Sequence, residues 1–273
     1  MGQLLYILPE GEPVWGMTLL AGEICLLRWK ERDQVEVYDV ATFRLQRRIT
    51  VPNAWWFSDM TSCEHKGYVY IGDVGGGCVH RLDVQGAVTQ WTVNGRPAGL
   101  SVNAAHNVLV TCLDGRRIKE FSSHGYLLRE LTLPGDVNWP WHAIQTRSGQ
   151  FIVCHGGVGK AVHRVCMISA DGRHIVHSHG GQPGSAKFNG PPSHFAVDDS
   201  EYVFVSDRDN RRVTLLSPTL EYVGQVVSPD ELKRGRPVSL YLDTQRRHLY
   251  VAEDEWNEQQ GNYTWGRVAV FSV

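Results

Sequence analysis

The segment from Pro192 to Ser217, PSHFAVDDSEYVFVSDRDNRRVTLLS, limits what this chain can fold into more than any other stretch, because weaker copies of it recur. Gly16, Ser58, Gly99, His142, His194 and Ser239 are the matching positions, at successive spacings of 42, 41, 43, 52 and 45 residues. Six copies of one supersecondary unit at a nearly constant period are the signature of a radial array.

Each copy opens with a small or polar residue ahead of an apolar run, with Pro two positions earlier in Pro97-Ala-Gly99, Pro140-Trp-His142, Pro192-Ser-His194 and Pro237-Val-Ser239. A turn follows, then a second run rich in Val, Ile, Leu and Tyr, such as Tyr68–Asp73, Val108–Cys112, Phe151–His155 and Val203–Asp207. A third run ends at a turn residue, as in Val35–Asp39 or Val213–Ser217, and a more polar fourth run closes the unit. Four short runs per copy, bounded by turn chemistry and lacking a helical period, predict four-stranded antiparallel blades. The expectation is an all-β, six-bladed β-propeller over residues 1–273 as a single domain. The last copy stops after its third run, Val268–Val273, whereas an orphan run, Leu4–Leu8, precedes the first. Pairing the two would complete blade six and leave no free edge at the closure.

No apolar stretch approaches the length of a membrane span, and no basic, apolar, cleavable leader is apparent, so no membrane association is expected. Cys25, Cys63, Cys78, Cys112, Cys154 and Cys166 show no paired spacing and read as reduced core residues of a cytoplasmic protein. A closed ring of this kind is expected as a monomer. The formal charge of -2 disfavours RNA as a partner, because phosphate contacts need a basic field.

The fifth copy resembles the NHL-repeat propellers, including those of the tripartite-motif proteins. Val205-Ser-Asp207, Asn210 and Arg212-Val213-Thr-Leu-Leu match that repeat's aspartate, asparagine and arginine pattern, and Arg117 keeps the arginine in the third copy. The resemblance implies a recognition platform that takes a ligand or partner on one axial face. Asp207, Asn210 and Arg212 would hold the corner of a blade.

The repeat register also sorts side chains by face, since leading loops and second-to-third-strand loops of such blades share one axial end. Trp15, Trp55, Trp56, Trp139 and Trp141 fall at first-strand starts, and Trp29, Trp256 and Trp265 in or beside the second-to-third-strand loops. Eight of the nine tryptophans therefore map to one rim, Trp91 being the exception. Rigid, amphipathic rings around a central depression suit a small molecule or peptide. The bland alternative is that they cap the seams between blades. Adjacent Trp55 and Trp56 should point to opposite sides, one packed and one facing the opening.

The register gathers a polar set as well. His142 and His155 should lie opposite each other across one hairpin, and His194 and Asp207 across the next. His142, His155 and His194 are thus candidate ligands for a divalent metal, zinc above all, or acid-base groups. Peptidyl-hydroxyglycine amidating lyases, which are six-bladed propellers with axial zinc-bound histidines, are similar in this respect. Space-filling by His in place of Gly or Ser is the alternative. The acidic run Glu253-Asp-Glu255, near Glu258, would attract a cation, with Arg28, Arg96 and Arg236 approaching the same face. Val74–Gly77 and the run 155–159 read as tight blade loops, because no helix follows to aim amides at a phosphate.

Three functional readings follow. The first is a non-catalytic binding propeller using Trp15, Trp55, Trp56, Trp139, Trp141, Trp256, Trp265, His142 and His194. The second is a zinc-dependent lyase or hydrolase built on His142, His155 and His194. The third is single-stranded RNA binding by aromatic stacking.

Overall fold

The computed structural model describes residues 2–29, 33–157, 162–181, 188–232, 235–257 and 259–273, so Glu258 and the end of the glycine run, Val158-Gly159, lie outside the described residues. Its strands form six four-stranded antiparallel sheets arranged as the blades of a propeller. Blades one to five each use four consecutive strands. Blade six takes Arg236–Asp243, His248–Asn257 and Asn262–Ser272, and its fourth strand is Gln3–Ile7 from the other end of the chain. Gln3 lies opposite Ser272 and Ile7 opposite Ala269, so the orphan run closes the ring as the sequence predicts.

Second strands such as Val108–Cys112, Phe151–His155 and Val203–Asp207 are buried along their whole length, because both sheet faces pack against neighbouring blades. That double burial is why they read as continuous apolar runs rather than alternating ones. Fourth strands such as Leu45–Thr50 lie at the outer edge and are exposed. The core divides into six apolar clusters, one at each seam between blades. All six cysteines are free and buried, and burial pushes the Cys25 thiol up to about 12. Among the described residues no helix is long and apolar enough to cross a membrane.

Asp207, Asn210 and Arg212 form a hydrogen-bonded blade corner. Asn210 Nδ2 donates to both Asp207 oxygens at 2.8 and 2.9 Å, and Arg212 Nε donates to Oδ2 at 2.7 Å. These residues fasten a blade corner beside the 3-10 turn Arg208–Asn210.

One irregularity recurs and sets the site. The pairing of first and second strands slips by one residue between Val14 and Gly16, Phe57 and Asp59, Pro97 and Gly99, Pro140 and His142, and Pro237 and Ser239. Each slip is a β-bulge, which re-aims the extra side chain. The extra residues are Trp15, Ser58, Ala98, Trp141 and Val238, and Ser193 holds the same place in blade five, directly before His194.

Candidate functional site

All six of those residues line one cavity of about 350 Å³ at the axial end of the ring. The five bulges turn their side chains inward and, with Ser193 of blade five, build the mouth from a ring of Trp, Ser, Ala, Trp, Ser and Val. Blade six supplies an additional wall. Its second and third strands run 10 and 11 residues, against 5 or 6 for the second strands elsewhere. This long hairpin carries Asp254 and Tyr263 into the lining, with Arg208 beside them from the turn in blade five.

The aromatic wall is a connected lattice. Trp15 stacks on Trp29 at 4.7 Å, Trp29 meets Trp56 edge-on at 5.7 Å, and Tyr263 packs edge-on against Trp15 at 5.9 Å and Trp29 at 5.4 Å. Trp256 extends it at 4.8 Å from Tyr263. Trp141 lines the far side, its Nε1 donating to the Gly156 carbonyl at 2.8 Å. Trp15, Trp56 and Trp141 thus line the cavity. The rest of the tryptophan set divides. Trp139 is 50% exposed on the rim, and Trp265 is buried with the Arg267 guanidinium 5.4 Å over its ring. Trp56 does face the opening, but Trp55 is not packed; it is 66% exposed. Trp91, expected off the rim, sits between Tyr70 and Phe121.

Asp73 holds the Trp55-Trp56 pair in place. Its carboxylate accepts the backbone N–H groups of Trp55, Trp56 and Gly76 at 2.8, 2.9 and 2.8 Å, and lies 3.5 Å from His80 Nε2. Burial works against its ionisation, yet these donors outweigh it and hold the carboxyl well below the ordinary range. Asp73→Ala would leave three amides without their acceptor and is expected to cost about 2–4 kcal/mol. Denaturant titration would check this, and a loss below the error of the titration would remove the role.

Beneath the mouth lies a second ring, the true register positions Gly16, Asp59, Gly99, His142, His194 and Ser239. The sequence alignment places Ser58 in this ring, but the bulge puts Asp59 there and turns Ser58 to the cavity. The larger members fasten blades together. Asp59 accepts the Leu100 N–H at 2.8 Å, His142 Nε2 faces the Leu100 carbonyl at 3.0 Å, and His194 Nδ1 accepts the Leu240 N–H at 3.3 Å. Gly99 must be Gly, because a Cβ would come within 2.4 Å of the Trp141 carbonyl and 2.8 Å of the His142 Cα. His142 and His194 stack at 4.1 Å, and His194 Nε2 lies 3.5 Å from Asp59. Only His194 and Asp59 of this trio reach the cavity, and His142 is sealed below it.

His155 does not join the set. The bulge at Trp141 places Pro140 opposite His155 and His142 opposite Cys154, so the two imidazoles leave opposite faces of the sheet. His155 instead lies 3.3 Å from Cys166 Sγ.

Asp59, His142 and His194 are close enough to surround an ion, but the hydrogen bonds oppose it. A nitrogen that ligates zinc must be unprotonated, and the other ring nitrogen donates to an acceptor. His194 Nδ1 faces a donor, so the neutral ring carries its proton on Nε2, the atom turned toward Asp59. His142 Nε2 faces a carbonyl and carries a proton too. Both Asp59 oxygens already accept backbone amides, from Met60 and Leu100. The trio reads as a hydrogen-bonded latch.

The acidic run is likewise spent within the protein. Glu253 is buried against Arg267 at 2.9 Å, and Asp254 is shared by Arg208 at 2.9 Å and Arg236 at 3.2 Å. Arg28 is buried against Glu36 at 2.6 Å, so of the expected arginines only Arg96 lines the cavity.

No family model matches the chain and no curated protein is similar to it in sequence. Solved structures share the fold. Virginiamycin B lyase from Staphylococcus aureus superposes with a TM-score of 0.67 at 11% identity, covering 97% of this chain and 98% of that one. A streptogramin B lyase gives 0.65 at 13% identity, covering 100% and 86%. A chain of Kuenenia stuttgartiensis hydrazine synthase gives 0.63 at 14% identity, covering 96% and 97%. Identities this low carry the propeller architecture alone, and that architecture hosts unrelated activities.

Proposed function

We propose that this propeller is a recognition domain that binds a small molecule with a flat, apolar body in the axial cavity. The carrying observation is the ring of five bulged residues and Ser193, which together with the Trp15, Trp29, Trp56 and Tyr263 lattice encloses about 350 Å³. That volume and its largely apolar walls, with several aromatic rings among them, match the general character of small-molecule sites. Rigid rings already packed on one another lose little entropy when a ligand stacks on them.

Recognition is favoured over catalysis by the state of the lining. Both nitrogens of His194 face protein partners, Asp59 is hydrogen-bonded, and Asp254 is shared between two guanidinium groups. No carboxylate or imidazole among the described lining residues is left free to take a proton from a substrate. The structural neighbours named as lyases therefore lend a fold and not a reaction. The zinc reading would require both histidines to change tautomer. An RNA strand would need more basic surface than a formal charge of -2 provides.

Calorimetric titration with 2-naphthyl compounds of differing head groups tests the reading. At least one is expected to bind, and Trp56→Ala or Trp141→Ala to weaken it about fivefold, in line with the loss of about 1 kcal/mol of stacking. Probes that bind equally well to wild type and to both variants would end the proposal.

A further inference from the structure

The polar atoms of the cavity that lack protein partners are donors or hydroxyls. Arg96 lines the mouth, and its backbone N–H donates to Asp114 at 2.7 Å, but among the described residues its guanidinium makes no ion pair. Arg208 Nε is buried without an acceptor, and outside the lining so is Nη2 of Arg236, whose guanidinium shares Asp254 with Arg208. The Ser58 hydroxyl, turned inward by its bulge, is buried and unpartnered too. One carboxylate between Arg208 and Arg236 leaves that trio one positive charge in excess. A buried N–H without an acceptor is costly, and a native protein that keeps several at one cavity is built to receive acceptors there.

We infer that the cavity takes an anion, an apolar or aromatic molecule carrying a carboxylate or phosphate, held by Arg96 and Arg208 while its body packs against the Trp56 and Trp15 rings. This rests on the reading of the cavity as a binding site and reverses the cation preference that the run Glu253–Glu255 suggests in the sequence. Both negative side chains of the lining, Asp59 and Asp254, already serve protein donors, so they offer a cation little. Guanidinium donors, by contrast, meet carboxylate and phosphate oxygens with matched geometry.

The test titrates 2-naphthoate, 2-naphthyl phosphate, 2-naphthamide and 2-(aminomethyl)naphthalene into wild type, Arg96→Gln and Trp56→Ala by calorimetry. At least one anion is expected to bind about tenfold more tightly than the amide, and the amine more weakly still. Arg96→Gln is expected to bring that anion within about twofold of the amide, because the charge-assisted bond is lost. The tighter of the two anions identifies the head group, and either result supports the inference. Equal binding of acid and amide, preference for the amine, or an unchanged anion preference in Arg96→Gln would overturn it. If Trp56→Ala still weakens those probes, the cavity remains a binding site and only its anion preference falls. Failure of every probe to bind, or indifference of all of them to Trp56→Ala, takes both readings down together.

Discussion

Deleting residues 1–9 is expected to remove about 5 kcal/mol of stability, a large share of the roughly 5–15 kcal/mol a folded domain holds in reserve, and to leave little soluble protein. Three contributions go together. Leu8 is 1% exposed in the seam between blades six and one, where truncation of a buried leucine alone costs about 3 kcal/mol. The strand Gln3–Ile7 and the Leu8 amide, which donates to the Val268 carbonyl at 2.9 Å, complete the ladder along Asn262–Ser272. Tyr6 stacks on Phe43 of blade one at 4.1 Å, bridging the closure from outside. Without this strand the third strand of blade six becomes a free edge, open to pairing with another chain. Leu8→Ala gives the graded version, an expected loss of about 3 kcal/mol in denaturant titration. Leu5→Ser, at a side chain 45% exposed, should change stability by less than about 0.5 kcal/mol. A deletion variant that melts with wild type would refute the closure as a stabilising element.

The closure could be read from sequence because it depends only on counting strands, and counting survives errors of a residue or two. The site depends on which way each side chain points, which such an error reverses. Ser58 and Asp59 show the cost. Aligned by the polar residue before the apolar run, Ser58 appears axial, whereas the bulge between Phe57 and Asp59 sends Ser58 to the cavity and Asp59 beneath it. No local signal separated the two, because the residue two before Ser58 is Trp56 and the residue two before Asp59 is Phe57, both apolar. His155 was misplaced by the same bulge one blade pair further on. Trp265 and Glu253 fail for another reason. Glu253 lies directly opposite Arg267 in the long blade-six hairpin and Trp265 two residues before Arg267 on the same strand, a pairing that depends on the exact hairpin register. Tyr263 and Arg208 entered the cavity through that hairpin and the neighbouring turn, so nothing in the repeat register marked them, whereas Asp254 was marked only as part of the acidic run.

The buried histidines make acid sensitivity a property of the folded ring. Burial, reinforced by neighbouring His194 and only partly opposed by Asp59, holds His142 down to about 3. His155 is held to about 4, again chiefly by burial and then by Arg164, against Asp136 and the Asn138 backbone. Both groups titrate near 6.5 once unfolded. Below pH 6.5 the unfolded chain therefore binds protons that the native state declines, and stability falls as pH falls until each folded pKa is reached. Each group contributes a slope of about 1.4 kcal/mol per pH unit, so two of them withdraw about 5 kcal/mol between pH 6.5 and 4.5. Asp73 acts in the same direction only in a lower window, since a depressed carboxyl loses its contribution as pH drops below the unfolded value of about 3.9. Denaturant titrations at pH 7, 5.5 and 4.5 would read the slope directly. His142→Gln and His155→Gln should each remove about half of it whatever they do to stability at pH 7, because the slope counts protons and not contacts. If neither variant flattens the curve, the acid sensitivity belongs to other groups and the neutral, latched state of the axial histidine is wrong.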